Sequence, residues 1–152
     1  MKGAIPVLTQ VACPQCGAGN RLPSRKDFSQ GKCGACGASL SLDAPVEADD
    51  RSFERHLTMT KGPVIVDVWA PWCGPCRMMA PNYAAAAGDL AGEARLLKLN
   101  ADENEAASRL GVRGIPALIM FVNGREVARQ AGLMSREGVA AWARGRLPTA
   151  SV

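Results

Sequence analysis

The sequence predicts an α/β fold, a central mixed β-sheet flanked by helices, preceded by a small cysteine-rich leader. Three observations predict it. After residue 50, short β-branched runs alternate with longer segments of helical period. Asn123-Gly124, set between two strand-like runs, is a strong hairpin signal. Before residue 45, two Cys-x-x-Cys-Gly knuckles stand in a stretch with few large apolar residues, chiefly Leu22 and Phe28. A chain of 152 residues accommodates one ordinary domain, or one small domain with a short appendage. The expected division is 1–45 for the leader and 46–152 for the α/β domain.

Residues 43–50, Asp-Ala-Pro-Val-Glu-Ala-Asp-Asp, read as a linker running into a helix start, with Asp49 and Asp50 as N-cap or first-turn residues. Arg51–Thr60 follows as a helix, with Phe53 and Leu57 four apart on one face. Pro63–Trp69 is β-branched and apolar on both faces, as a central strand requires. Cys73 to Leu90 is helical, with Pro81 predicting a kink. Arg95–Asn100 is a second strand, and Asn104–Leu110 is a helix stopped by Gly111. Ala117–Val122 and Arg125–Ala131 form the hairpin around Asn123-Gly124. Ser135 caps a last helix that reaches about Arg146 and is closed by Pro148. The order α-β-α-β-α-β-β-α gives a sheet covered on both faces, with an antiparallel edge.

Charge and composition exclude several functions. The net charge of +4 is modest, and 5% aromatic content is too low for a base-stacking platform, so nucleic acid is not an expected partner. No apolar run is long enough to span a bilayer, so no membrane is expected. The first residues carry one lysine and no apolar signal core, which makes a reducing, cytoplasmic setting the expectation. Arg21, Arg25, Lys26 and Lys32 make the leader basic; a solvated face is favoured over a dock for an acidic partner.

The six cysteines fall into three pairs of equal spacing: Cys13/Cys16, Cys33/Cys36 and Cys73/Cys76. Cys73-Gly74-Pro75-Cys76 lies where a central strand ends and a helix begins. A cysteine there faces unpaired backbone N–H groups and the positive end of the helix dipole, which favour the thiolate needed for disulfide exchange. The i, i+3 spacing sets Cys76 one turn away on the same face, within reach of a mixed disulfide at Cys73. Pro75 near the helix start gives up an N–H that has no helical partner. A pair of zinc ligands is the competing reading, but no further Cys or His follows, and His56 is the only histidine. His56 is read as a helix-surface residue without a role.

The other two pairs, separated by sixteen residues, match the spacing of a four-cysteine zinc site. One structural zinc, held tetrahedrally by Cys13, Cys16, Cys33 and Cys36, is the favoured reading. Two disulfides, four free thiols and iron are the alternatives. Gly17 and Gly37 allow the tight turns that aim backbone N–H groups at sulfur.

Several stretches resemble the thioredoxin family: Val66–Met78 with its Trp-Cys-Gly-Pro-Cys core, Lys98–Asp102, Gly111–Pro116, Asn123-Gly124 and Gly132. With the four-cysteine leader the chain looks like the bacterial thioredoxin-2 type, which carries an N-terminal zinc module. The resemblance implies a thioredoxin fold behind a zinc-ribbon-like module. It implies a thiol–disulfide oxidoreductase that reduces protein disulfides through Cys73 and Cys76. Cys73, at the helix start, is expected to be the more exposed, attacking thiol. A flavin- and NADPH-dependent thioredoxin reductase would recycle the dithiol, and the chain itself would hold no nucleotide cofactor. Asp67 matches the family's buried acid, which takes the Cys76 proton, and Lys98 the lysine beside it. Pro116 matches the cis-proline opposite the disulfide. Trp72, Gly74, Pro75, Ile115 and Gly132 would complete an apolar surface for substrate, with Trp69 as packing beside the site and Met78 and Met79 as core or rim. A monomer is expected. The alternative is a zinc-dependent, redox-sensing binding or chaperone-like protein that uses the fold for docking.

Overall fold

A computed structural model of the chain describes residues 8–22 and 31–146. Arg25, Lys26, Phe28 and the Pro148 helix stop lie outside the described residues. The leader forms a two-stranded antiparallel ribbon of β1 (Gln10–Ala12) and β2 (Gly19–Arg21). The body follows as β3 (Val46–Ala48), α1 (Asp50–Met59), β4 (Pro63–Trp69), α2 (Gly74–Asp89) and β5 (Arg95–Asn100). It closes with α3 (Ala106–Arg109), β6 (Ala117–Val122), β7 (Arg125–Ala131) and α4 (Arg136–Arg146).

The sheet order is β3-β5-β4-β6-β7. β4 is central, parallel to β5 and antiparallel to β6. Its residues Val64, Ile65, Val66 and Val68 are all buried, as the continuous apolar run requires. On one face Ile65, Leu96, Leu118 and Met120 pack against Met79 and Tyr83 of α2, Leu90 just after it, and Val139 and Trp142 of α4. On the other, Val66, Val68, Leu97, Leu99 and Ile119 pack against Phe53 of α1 and Ala106 and Ala107 of α3. Phe53 meets Phe121 edge to face, with ring centroids 5.8 Å apart.

The helix ends follow local chemistry in part. Asp49 caps α1 in a reciprocal box with Ser52, accepting Ser52 N–H at 2.8 Å. Ser135 accepts Gly138 N–H at 2.9 Å ahead of α4. α2 continues through Pro81. α3 has no side-chain cap of its own; Asp50, from α1, accepts the N–H groups of Glu105 and Ala106 at 2.9 and 2.8 Å.

Two sequence expectations are corrected. Residues 46–48 are a strand: β3 pairs in parallel with β5, Glu47 opposite Lys98. Three residues are too few to show a period, and β3 forms because β5 presents an open edge. His56 is 1% exposed, because the leader covers that face of α1.

The leader docks closely on the body. Thr9 N–H donates to Lys61 O and Lys61 N–H to Gln10 O, both at 2.9 Å, and Ala12 N–H donates to Thr60 Oγ1 at 3.2 Å. Leu8, Val11 and Leu42 are buried together against Leu22 and Ala91. A chain starting at Asp43 retains all five sheet strands and is expected to fold. It should melt about 5–10 °C lower, the shift for roughly 2–3 kcal/mol of lost burial. Circular-dichroism melts of the two chains check this, and an unfolded truncated chain would make leader and body one cooperative unit.

Candidate active site and four-cysteine centre

The strand-to-helix turn after β4 sets the first site. Cys73 is the N-cap of α2, with extended backbone, and Cys76 N–H points at Cys73 Sγ at 3.2 Å. Cys73 and Cys76 are joined in a disulfide with Cα atoms 5.2 Å apart. Both are nearly closed to solvent in this oxidised form, 4% and 3% exposed, so the expected greater exposure of Cys73 is not observed. The Ile115 carbonyl oxygen lies 3.8 Å from Cys73 Sγ. The Ile115–Pro116 peptide is cis, and Pro116 O accepts Gly132 N–H at 2.9 Å.

Around the disulfide, Trp72 is 68% exposed, its indole donating to Asp102 Oδ1 at 3.0 Å. Pro75 and Gly132 are exposed, and Gly74 and Ile115 half-buried. Gly132 has a φ of +107°, a conformation that favours glycine. Met79 is core and Met78 exposed. Ile115 and Trp69 pack against Cys73 and Cys76.

On β4, six residues before Cys73, Asp67 is 1% exposed, and neither carboxylate oxygen has a hydrogen-bond partner among the described residues. It shares the sheet face of Ile65, which packs on α2, and pairs across the strands with Lys98. Burial pushes its pKa up to about 7, Lys98 opposing and Glu47 reinforcing the shift. Such an acid exchanges protons at neutral pH. Glu47 was not legible as part of the site, because its segment reads as linker. Its Oε2 accepts the Trp69 indole N–H at 3.2 Å, and Lys98 Nζ lies 4.6 Å from the Trp69 ring centroid. Glu47, Lys98 and Asp67 thus form one row across three strands.

The second site is the leader's four cysteines, whose Sγ atoms all lie within 4.8 Å of one another. Cys13 and Cys36 sulfurs are 3.6 Å apart, and Cys16 and Cys33 sulfurs 3.7 Å. A tetrahedron with metal–sulfur bonds of about 2.3 Å has edges of about 3.8 Å, so the donor set fits a tetrahedral thiolate-binding metal. Gln15 N–H reaches Cys13 Sγ and Ala35 N–H reaches Cys33 Sγ, each at 3.3 Å. Gly17 and Gly37, at φ +83° and +81°, turn the chain after each knuckle. Asn20 Nδ2 adds a bond to Cys33 Sγ at 3.4 Å, and together with backbone donors it lowers the Cys33 thiol to about 6.

Comparison with known proteins agrees with this geometry. The thioredoxin family profile, described as "Thioredoxin", matches residues 44–145. The chain belongs to the thioredoxin family. A second profile, "Thioredoxin 2, N-terminal", matches residues 12–38, which span the four-cysteine cluster. Thioredoxin of Pseudomonas aeruginosa is 44% identical over 98 residues, covering 64% of this chain and 91% of that one. Thioredoxin C-3 of Corynebacterium nephridii is 34% identical over 136 residues, covering 87% and 91%. A mutant thioredoxin from Halobacterium salinarum superposes with a TM-score of 0.63 at 29% identity, covering 71% and 95%. The Cys73–Cys76 disulfide fits the thioredoxin redox site, and the chain is a thioredoxin-type protein-disulfide reductase. Among the described residues no helix is long and apolar enough to cross a membrane.

Two predictions concern Asp67. Its raised pKa favours the unfolded chain increasingly as pH climbs from about 4, where the unfolded carboxyl ionises, to about 7, where the folded one does. Asp67→Asn should therefore melt several degrees above the parent at pH 8, and by a smaller margin at pH 5. A gap that does not grow with pH removes the ionisation cost. Glu47→Gln keeps an acceptor for Trp69 but loses a negative charge. It should lower the Asp67 pKa by a few tenths of a unit, the modest effect of a partly exposed charge, read by carboxyl NMR titration. An upward shift would exclude the charge row.

Proposed function

We propose that Cys73 is the attacking thiol and Cys76 the resolving thiol in the reduction of protein disulfides. The observation that carries this is Cys73 Sγ at the start of a sixteen-residue helix with the Cys76 N–H aimed at it. The helix dipole and that N–H stabilise a thiolate. The Cys73 thiolate attacks one sulfur of the target disulfide. The target bond breaks, a Cys73–target disulfide forms and one target thiolate leaves. Cys76 gives its proton to Asp67, through water, and attacks Cys73 Sγ. The Cys73–Cys76 bond forms and the second target thiolate leaves. The target gains two electrons, and the dithiol loses two.

Lys98 moderates the charge on Asp67. Trp72, Gly74, Pro75, Ile115, Pro116 and Gly132 dock an extended target segment, whose backbone pairs with the chain at Ile115. An NADPH-dependent thioredoxin reductase returns the two electrons, in a reducing cytoplasmic compartment. Cys13, Cys16, Cys33 and Cys36 hold one zinc, which supplies structural cross-linking of the leader when bound. Leader and body form separate units of function, divided near residue 45. The protein works as a monomer.

Turnover in a coupled assay of NADPH, reductase and a disulfide protein tests the reading, since a docking-only protein would not cycle. Cys73→Ser should abolish reduction, while Cys76→Ser should accumulate mixed disulfides with targets. Trapping by Cys73→Ser instead would reverse the two roles. Metal analysis of the full chain should return about one zinc per chain.

A further inference from the structure

Arg95 is fully buried at the seam between leader and body. It opens β5, yet its side chain reaches the leader, where Nη1 donates to Ser41 O at 3.0 Å. Nε and Nη2 have no hydrogen-bond partner among the described residues, nor does any described carboxylate form an ion pair with Arg95. His56, also buried, offers no counter-charge: burial and the nearby guanidinium push its pKa down to about 4, which leaves a neutral ring. A buried guanidinium with one neutral acceptor is costly unless an opposite charge faces it.

The four-cysteine centre lies on that side. Ser41 follows Leu40, which is buried against Cys13 and Cys33. Cys13 is 2% exposed, and it follows β1, whose Val11 and Ala12 are buried in the seam. Burial pulls the guanidinium down to about 10, and the electrostatic influence of the neighbouring Cys13 acts in the other direction. Four thiolates around one divalent ion leave two negative charges.

We propose that Arg95 is the buried counter-charge of the four-cysteine metal centre, supplied by the body's sheet across the seam where the leader docks. The proposal rests on the zinc reading. It links metal occupancy to docking: the loaded centre neutralises Arg95, and the stripped, protonated cluster leaves a lone buried cation that loosens the seam. Arg55, whose Nη1 lies 3.4 Å from Cys16 O, stands on the exposed side, where solvent screens it.

The test uses the full chain and its Arg95→Met, Arg95→Lys and Arg55→Met variants. Zinc content, the rate of zinc release to a chromophoric chelator, and melting temperatures with and without zinc are measured. Arg95→Met should release zinc roughly 10–100-fold faster, the range for residues that support metal ligands from outside. Arg95→Lys, which keeps the charge, should fall between it and the parent, and Arg55→Met should stay near the parent. Arg95→Met should lower the melting temperature of the loaded chain and raise that of the zinc-free chain, because removing an uncompensated buried charge stabilises. A merely structural arginine would shift both melts in the same direction, and that result, or unchanged zinc release, overturns the proposal. Should Arg95→Met not fold, Arg95→Gln, which keeps a donor for Ser41 without the charge, carries the same comparison against Arg95→Lys. A parent chain without zinc overturns the zinc reading as well; a parent with one zinc and an indifferent Arg95→Met overturns this proposal alone.

Discussion

β4 is buried on both faces, and the rest of the molecule depends on that burial. A strand covered on two sides holds its register rigidly, because a slip of one residue would exchange the α2-facing and α1-facing side chains. Its C-terminal end therefore delivers Cys73 to one place at the start of α2. The same burial surrounds Asp67 with apolar residues and brings its proton affinity to neutral pH. One strand thus carries Asp67 and leads into the turn that holds Cys73. The Ile115 carbonyl closes the opposite side of Cys73, on the segment that leads into the neighbouring strand β6.

Buried titratable groups are handled in three ways. Asp67 has no hydrogen-bond partner among the described residues, which costs stability, and burial makes its carboxyl responsive near neutral pH. His56 is neutral. Arg95 remains cationic at the seam, where its Nη1 donates to Ser41 O in the leader. The leader joins the body through backbone bonds at Lys61 and a small aliphatic cluster, although its own apolar content is low. Val11 and Leu42 of the leader are buried together, with Ala91 of the body packed against them.

Much of the fold was legible because its signals are local. β4, β5, β6 and β7 fall on the predicted residues, since β-branched runs and Asn123-Gly124 define them within a few positions. The boundaries of α2 and α3 differ by one or two residues, as helix ends do. β3 was invisible: Val46-Glu47-Ala48 has no period of its own and becomes a strand only against the edge of β5. Glu47 was lost with it, although it is the residue that orients the Trp69 indole.

The sequence by itself determined the order of elements from α1 onward, the two kinds of cysteine pair and the position of the Cys73/Cys76 pair at a strand-to-helix junction. Spacing carries these, because one helical turn or one tight turn spans only a few residues. The tertiary structure alone decided that His56 is buried, that Asp50 caps a helix 55 residues away, and that Arg95 crosses from the sheet to the leader. Each of these depends on which distant segment covers a given face. Desolvation and charge compensation arise only when the chain has closed around the group, so no local pattern announces them.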